Sequence, residues 1–206
     1  MKKGKCYIIG AGETAGLDFL PTEDDFVIAA DGGYRYLLAA SIKADIVIGD
    51  FDSLGCAPVH PFVVQLKSEK DETDVYEALK IGLERGYREF VIYGGTGGRI
   101  EHTFANIQLL NDLANRGCRG TLVGINQNMT VIKNSALELN KKHQGRISVF
   151  SLCEKSAGVN LEGLKYPLCG YTMTNRFPIG VSNEFMGKKS RISVEDGELL
   201  IIYDVI

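Results

Sequence analysis

Two stretches decide the fold: Phe26-Val27-Ile28-Ala29-Ala30-Asp31-Gly32-Gly33, and Ile46-Val47-Ile48-Gly49-Asp50-Phe51-Asp52-Ser53. Each is a short, unbroken apolar run that ends at once in acidic residues and glycine. A strand with one wet face alternates apolar and polar residues, whereas one covered on both faces is apolar throughout. Cys6–Ile9, Phe62–Leu66, Phe90–Tyr93 and Thr121–Val123 repeat the pattern. Between them, Val75, Ala78, Leu79 and Leu83 fall at helical spacing, closed by Arg85-Gly86 as a cationic last turn and C-cap. Phe104, Ile107, Leu110 and Leu113 form a second apolar helical stripe, closed by Arg116-Gly117, and Tyr34–Ala40 reads as a shorter helix. This alternation predicts a parallel-sheet α/β domain over residues 1–128.

After Asn126 the helical period disappears. Arg146–Leu152, Val159–Leu164 and Tyr171–Thr174 read as strands. Arg191–Val194 and Leu199–Tyr203 flank Glu195-Asp196-Gly197-Glu198, which predicts a hairpin. Residues 129–206 are therefore expected to form a small antiparallel, sandwich-like β domain.

Composition narrows the function. With 45% hydrophobic and 24% charged residues the chain is of folding composition. A net charge of −3 offers no basic field for nucleic acid or an anionic membrane, so a polyanionic substrate needs a metal ion or a few placed cations. The five cysteines are odd in number and form no C-x-x-C pair, which suits reduced thiols in the cytoplasm rather than disulfides or a zinc site. The apolar stretch Cys6–Gly12 is short and ends at Glu13; it reads as a buried first strand rather than a signal sequence. No run approaches the roughly 20 apolar residues of a membrane span.

Familiar phosphate loops are missing. Gly10-Ala11-Gly12-Glu13-Thr14-Ala15-Gly16 has one residue too many for G-x-G-x-x-G, and Glu13 would sit unfavourably near a pyrophosphate. Gly94–Arg99 lacks the Lys-Ser/Thr of a Walker A loop. The acidic residues carry more. Asp31, Asp50 and Asp52 follow strands directly, at the carboxyl edge where open α/β sheets bind ligands. Asp50 and Asp52, two apart, share one side of an extended chain, and Asp71 and Asp74 stand where the next helix opens. Clustered carboxylates repel unless a hard cation holds them, and oxygen ligands select Mg²⁺. Each also has a local reading: Asp31-Gly32 and Asp52-Ser53 as turns, Asp71 as an N-cap, Asp74 as a first-turn acid. Gly94-Gly95-Thr96-Gly97-Gly98-Arg99-Ile100-Glu101-His102 offers backbone N–H groups, a helix N-terminus and a guanidinium to phosphate. By chemistry alone Tyr166 is a packing residue, and Ser182 and Asn183 read equally as turn residues.

In order, Ala30-Asp31-Gly32-Gly33, Gly49-Asp50-Phe51-Asp52-Ser53, Lys70-Asp71-Glu72-Thr73-Asp74, Gly97-Gly98-Arg99-Ile100-Glu101-His102, Gly163–Leu168 and Ser182-Asn183-Glu184 resemble the thiamine pyrophosphokinase family over nearly the whole chain. The resemblance implies an α/β catalytic domain followed by a β domain, working as a homodimer on ATP and thiamine. It implies Mg²⁺ around Asp50, Asp52 and Asp74, with Asp31 close to the metal–phosphate cluster or the substrate. Lys70 and Arg99 would meet ATP phosphates, with Glu101 and His102 on the same side. Tyr166, Ser182 and Asn183 would serve thiamine, in the same subunit or across the dimer. The chain departs from the family at Glu101, where Asp is common, and at Tyr166, where many members carry Trp. The implied reaction is attack of the hydroxyethyl oxygen of thiamine on the β-phosphorus of ATP, releasing AMP, with Asp71 or Asp74 taking the hydroxyl proton. Two rivals stay open: a transferase acting on a different alcohol, and a binding protein without turnover.

Overall fold

The computed structural model describes residues 3–51, 58–67 and 72–205. Two compact units divide the chain: Met1–Leu109 with Gly120–Ile125, and Leu110–Arg119 with Asn126–Ile206. In the first unit, the apolar runs become strands β1 (Cys6–Ile9), β2 (Phe26–Ala30), β3 (Ile46–Gly49), β4 (Val63–Gln65), β5 (Glu89–Tyr93) and β6 (Arg119–Val123). Their order in the sheet is β6-β5-β1-β2-β3-β4, and every pairing from β5 to β4 is parallel. All residues of β1 and β3 are buried, as expected for strands covered on both faces. One face packs Tyr7, Ile9, Val27, Ala29, Leu37, Val47 and Tyr93 into a core.

Among the described residues, three α-helices join the strands: α1 (Tyr34–Ala39), α2 (Asp74–Glu84) and α3 (Ile100–Asn115). The N-cap of α2 is Thr73, whose side chain accepts from Tyr76 N–H at 3.2 Å, so the capping role read onto Asp71 belongs to Thr73. On α3 the expected apolar stripe is displaced. Phe104 is 62% exposed, while Asn106, Leu110 and Leu113 are the buried positions. Among the described residues no helix is long and apolar enough to cross a membrane.

The second unit holds two antiparallel sheets. One runs β12 (Gly180–Glu184), β9 (Arg146–Ser151), β14 (Glu198–Asp204), β7 (Gln127–Lys133); the other runs β11 (Leu168–Met173), β10 (Ser156–Glu162), β13 (Ser190–Ser193), β8 (Ala136–Leu139). Both sheets turn side chains into one core: Ile147, Val149, Leu199 and Ile201 from the first, and Val159, Leu161, Met173 and Ile192 from the second. That is a β sandwich. The expected hairpin is absent. β13 pairs with β10 and β8, whereas β14 pairs with β9 and β7. The turn residues carry the chain from one sheet to the other: Ala157 N–H donates to Asp196 O at 2.7 Å, and Gly197 N–H to Asn134 Oδ1 at 2.8 Å.

Candidate active site

Parallel pairing sends the carboxyl ends of β1, β2, β3 and β5 to one edge, where Gly10, Asp31, Asp50 and Gly94 follow. The chain runs outward from β1 through β2, β3 and β4, then returns to β5 on the other side of β1. That reversal leaves a crevice at the strand ends, the usual ligand position in an open α/β sheet. A cleft of about 620 Å³ lies there, and Asp31, Asp50, Asp74, Arg99 and His102 line it. Five residues named from sequence thus meet in one place. Glu101 is not among the cleft-lining residues. Asp52, Lys70 and Asp71 lie outside the described residues.

Two bends bring the strand-end acids together. Asp31 has φ 49° and Phe51 φ 61°, a left-handed conformation that bulky residues rarely adopt. Phe51 is 3% exposed and sits in the core of this unit, so burial of its ring offsets the strain beside Asp50. A Cβ on Gly49 would come within 3.0 Å of the Asp31 Cα, so glycine lets the two acidic turns approach.

The glycine-rich segments pack against each other. Gly10 N–H donates to Tyr93 O at 2.8 Å, Gly12 N–H to Gly94 O at 2.7 Å, and Glu13 N–H to Thr96 O at 2.8 Å. A Cβ at Gly10 would meet Gly94 O, and one at Gly12 would meet Thr96 O, each at 2.6 Å. Glycines 10 and 12 thus serve close backbone approach between the two segments. Asn106 holds the other side of the loop, its side-chain amide donating to Gly95 O at 2.8 Å from a buried position. Sequence reading missed Asn106, although Asn106, Leu110 and Leu113 keep helical spacing. It also missed Glu72, which lines the cleft beside Thr73 and Asp74.

Arg99 stands at the rim, its Nε 3.4 Å from Glu101 Oε1 and its guanidinium in contact with His102 Nε2. The Arg99 and Glu101 side chains are 71% and 65% exposed. An exposed pair of this kind is weak, so a phosphate can displace the carboxylate from Arg99.

In the β unit, Asn183 is 4% exposed and its amide is bonded to the backbone of Tyr166. Tyr166 itself is 59% exposed, with the Lys165 ammonium 5.4 Å from its ring centroid. Lys165 also pairs with Glu184 at 2.8 Å. Ser182 has φ 57° at a register shift between Gly180 and Asn183, and its N–H donates to Ser148 Oγ at 3.0 Å. A bulge here turns Ser182 out of the ladder and leaves it exposed.

Residues 18–122 match the family model described as thiamin pyrophosphokinase, catalytic domain, and residues 135–199 match thiamin pyrophosphokinase, vitamin B1 binding domain. The thiamine pyrophosphokinase of Bacillus subtilis (strain 168) is 30% identical over 182 residues, 85% of each chain. The crystal structure of a Bacillus subtilis thiamine pyrophosphokinase superposes with a TM-score of 0.86 at 28% identity, covering 98% of this chain and 99% of that one. The Geobacillus thermodenitrificans enzyme gives 0.84 at 27% identity, covering 98% of both chains. With both domain matches and a 30% identical relative spanning most of its length, the chain belongs to the thiamin pyrophosphokinase family.

Proposed function

We propose that this chain transfers the pyrophosphoryl group of ATP to the hydroxyethyl oxygen of thiamine, giving thiamine diphosphate and AMP. The observation that carries this reading is the cleft that gathers Asp31, Asp50, Asp74 and Arg99 at the parallel strand ends of a chain of this family. Residues 1–128 bind the nucleotide and metal in this reading, and residues 129–206 contribute the thiamine site.

Among the described residues no three His, Cys, Asp or Glu side chains form a ready metal cage, and Asp50 and Asp74 line one cleft. That donor set fits Mg²⁺, which takes one or two carboxylates plus substrate phosphate and keeps several waters. Asp50, Asp52 and Asp74 are the proposed ligands, and Mg²⁺ when bound neutralises charge on the phosphate oxygens. The chain's own residues do the rest. Arg99 forks onto phosphate oxygens, with Lys70 as a second cation and His102 alongside. Glu101 orients Arg99 until phosphate replaces it. Asp31 borders the phosphates, and Asp71 or Asp74 takes the proton of the attacking hydroxyl. Such transfer depends on in-line positioning and charge neutralisation more than on covalent catalysis.

For thiamine, the exposed Tyr166 ring offers a π face to the cationic thiazolium, Asn183 fixes the Tyr166 backbone, and Ser182 presents its hydroxyl from the bulge. A homodimer is supported by the exposed apolar side chains Tyr171, Phe177, Ile179 and Val181 on this unit. Cysteine usage supports a cytoplasmic setting. The test is chromatography of the protein with Mg²⁺, ATP and a panel of alcohols. Thiamine is expected to be the preferred acceptor; tight thiamine binding without product, or preference for another alcohol, would overturn the reading.

A further inference from the structure

Glu13 stands out as a carboxylate beside a site read as polyanion-binding. Its backbone forms a bridge with Thr96, which fixes its position against the glycine loop. Its Oε1 accepts the Gly98 N–H at 3.3 Å. A side chain added at Gly97 would meet Glu13 Cγ and Oε2 at 2.6 Å, so the carboxylate lies directly over the loop. Gly97 and Gly98 hold left-handed φ values of 80° and 59°, and both line the cleft with Arg99. The carboxylate therefore occupies one of the backbone donors that the loop offers to phosphate.

The bond is weak. At 3.3 Å it is longer than the roughly 2.7–2.9 Å of a strong charge-assisted contact, and Glu13 is exposed. A phosphate oxygen on the same N–H, helped by the start of α3, is a better acceptor. Glu13 is not itself among the cleft-lining residues, but it places a negative charge against the Gly97–Gly98 loop that lines the cleft, and its repulsion of a polyphosphate persists after the N–H has changed partner.

Resting on the reading that ATP binds in this cleft, we propose that Glu13 is a phosphate stand-in. It holds the Gly98 N–H until a polyphosphate displaces it, and its charge lowers affinity for the nucleotide. The residue sets how much anionic charge the cleft tolerates. It is a positioning residue and touches no reacting atom. The opposite role, a strut that keeps the loop fit for ATP, has the opposite sign on binding.

The experiment is calorimetric titration of ATP, in buffer containing Mg²⁺ and no thiamine, into the wild-type protein, Glu13→Gln and Glu13→Ala, at low and high salt. The expected result is that both variants bind ATP about two- to fivefold tighter than wild type at low salt, the scale of exposed charge effects. The gap should narrow at high salt through screening. Unchanged or weaker binding in Glu13→Gln and Glu13→Ala, with wild-type binding intact, would overturn the stand-in role alone. No ATP binding by folded wild-type protein would overturn the nucleotide reading and this inference with it.

Discussion

Asn183 clamps Tyr166 by both of its backbone groups: Oδ1 accepts the Tyr166 N–H at 2.9 Å, and Nδ2 donates to the Tyr166 carbonyl at 2.7 Å. The same Oδ1 accepts the Glu184 N–H at 2.9 Å. A buried amide used in this way sets the position of an exposed aromatic ring without touching it. Asn183→Ala leaves those backbone groups unmatched and is expected to lower unfolding free energy by about 1–3 kcal/mol in denaturant titration. Its KM for thiamine should rise while its KM for ATP stays near wild type. Equal rises in both would mean that the clamp serves general stability only.

The ring held by this clamp gives the second prediction. Tyr166→Ala should weaken use of thiamine by roughly 0.5–2 kcal/mol, the range of a cation–π contact, and leave melting temperature nearly unchanged because the side chain is 59% exposed. Tyr166→Trp should keep or improve affinity. The Lys165 ammonium already faces the ring at 5.4 Å, so Lys165→Met should strengthen binding of a cationic ligand slightly. Steady-state kinetics with thiamine as varied substrate checks all three.

Asp50→Asn and Asp74→Asn should each abolish turnover while the circular dichroism spectrum is retained. Both side chains line the cleft, and neither belongs to the buried core. Asp52→Asn is expected to behave alike. A near-normal rate with unchanged Mg²⁺ dependence in any of them would make that residue a turn-former.

Much of the fold is legible in the sequence. Cys6–Ile9 and Phe26–Ala30 coincide with β1 and β2, because strands buried on both faces leave an uninterrupted apolar signature. Asp31 and Asp50 at the strand ends followed from the same reading. Three features did not follow. Phe104 looked like core because it completes an apolar stripe, but tertiary packing placed Asn106 inward to hold Gly95. The turn at Glu195-Asp196-Gly197-Glu198 looked like a hairpin because local turn chemistry does not tell which sheet each flank joins. β7, β8 and β12 went unread, since Asn128 and Thr130, Glu138, and Ser182 and Asn183 interrupt the short apolar runs of these partly covered strands.

His143 supplies a test of the β unit that is independent of substrate. Burial against Phe185 and Tyr203, with ring centroids 5.6 and 5.5 Å away, holds its imidazole below the ordinary value of about 6.5. Folding therefore favours the neutral ring. Above the unfolded value neither state is protonated and stability is unaffected. As pH falls from there toward the lower folded value, the unfolded chain binds the extra proton and stability drops. Thermal melts should decline over that window, and His143→Phe should flatten the decline. An identical pH profile in the variant would remove His143 as its source.

In the proposed reaction the cleft directs the acceptor hydroxyl to the β-phosphorus of ATP. The same carboxylates and guanidinium could serve transfer of the γ-phosphoryl group one position along, so product identity decides between them. Phosphorus NMR of the protein with thiamine, ATP and Mg²⁺ should show AMP and thiamine diphosphate rising in equal amounts, with no accumulation of ADP or thiamine monophosphate. ADP rising in step with thiamine monophosphate would contradict the account, even with every proposed metal ligand in its place.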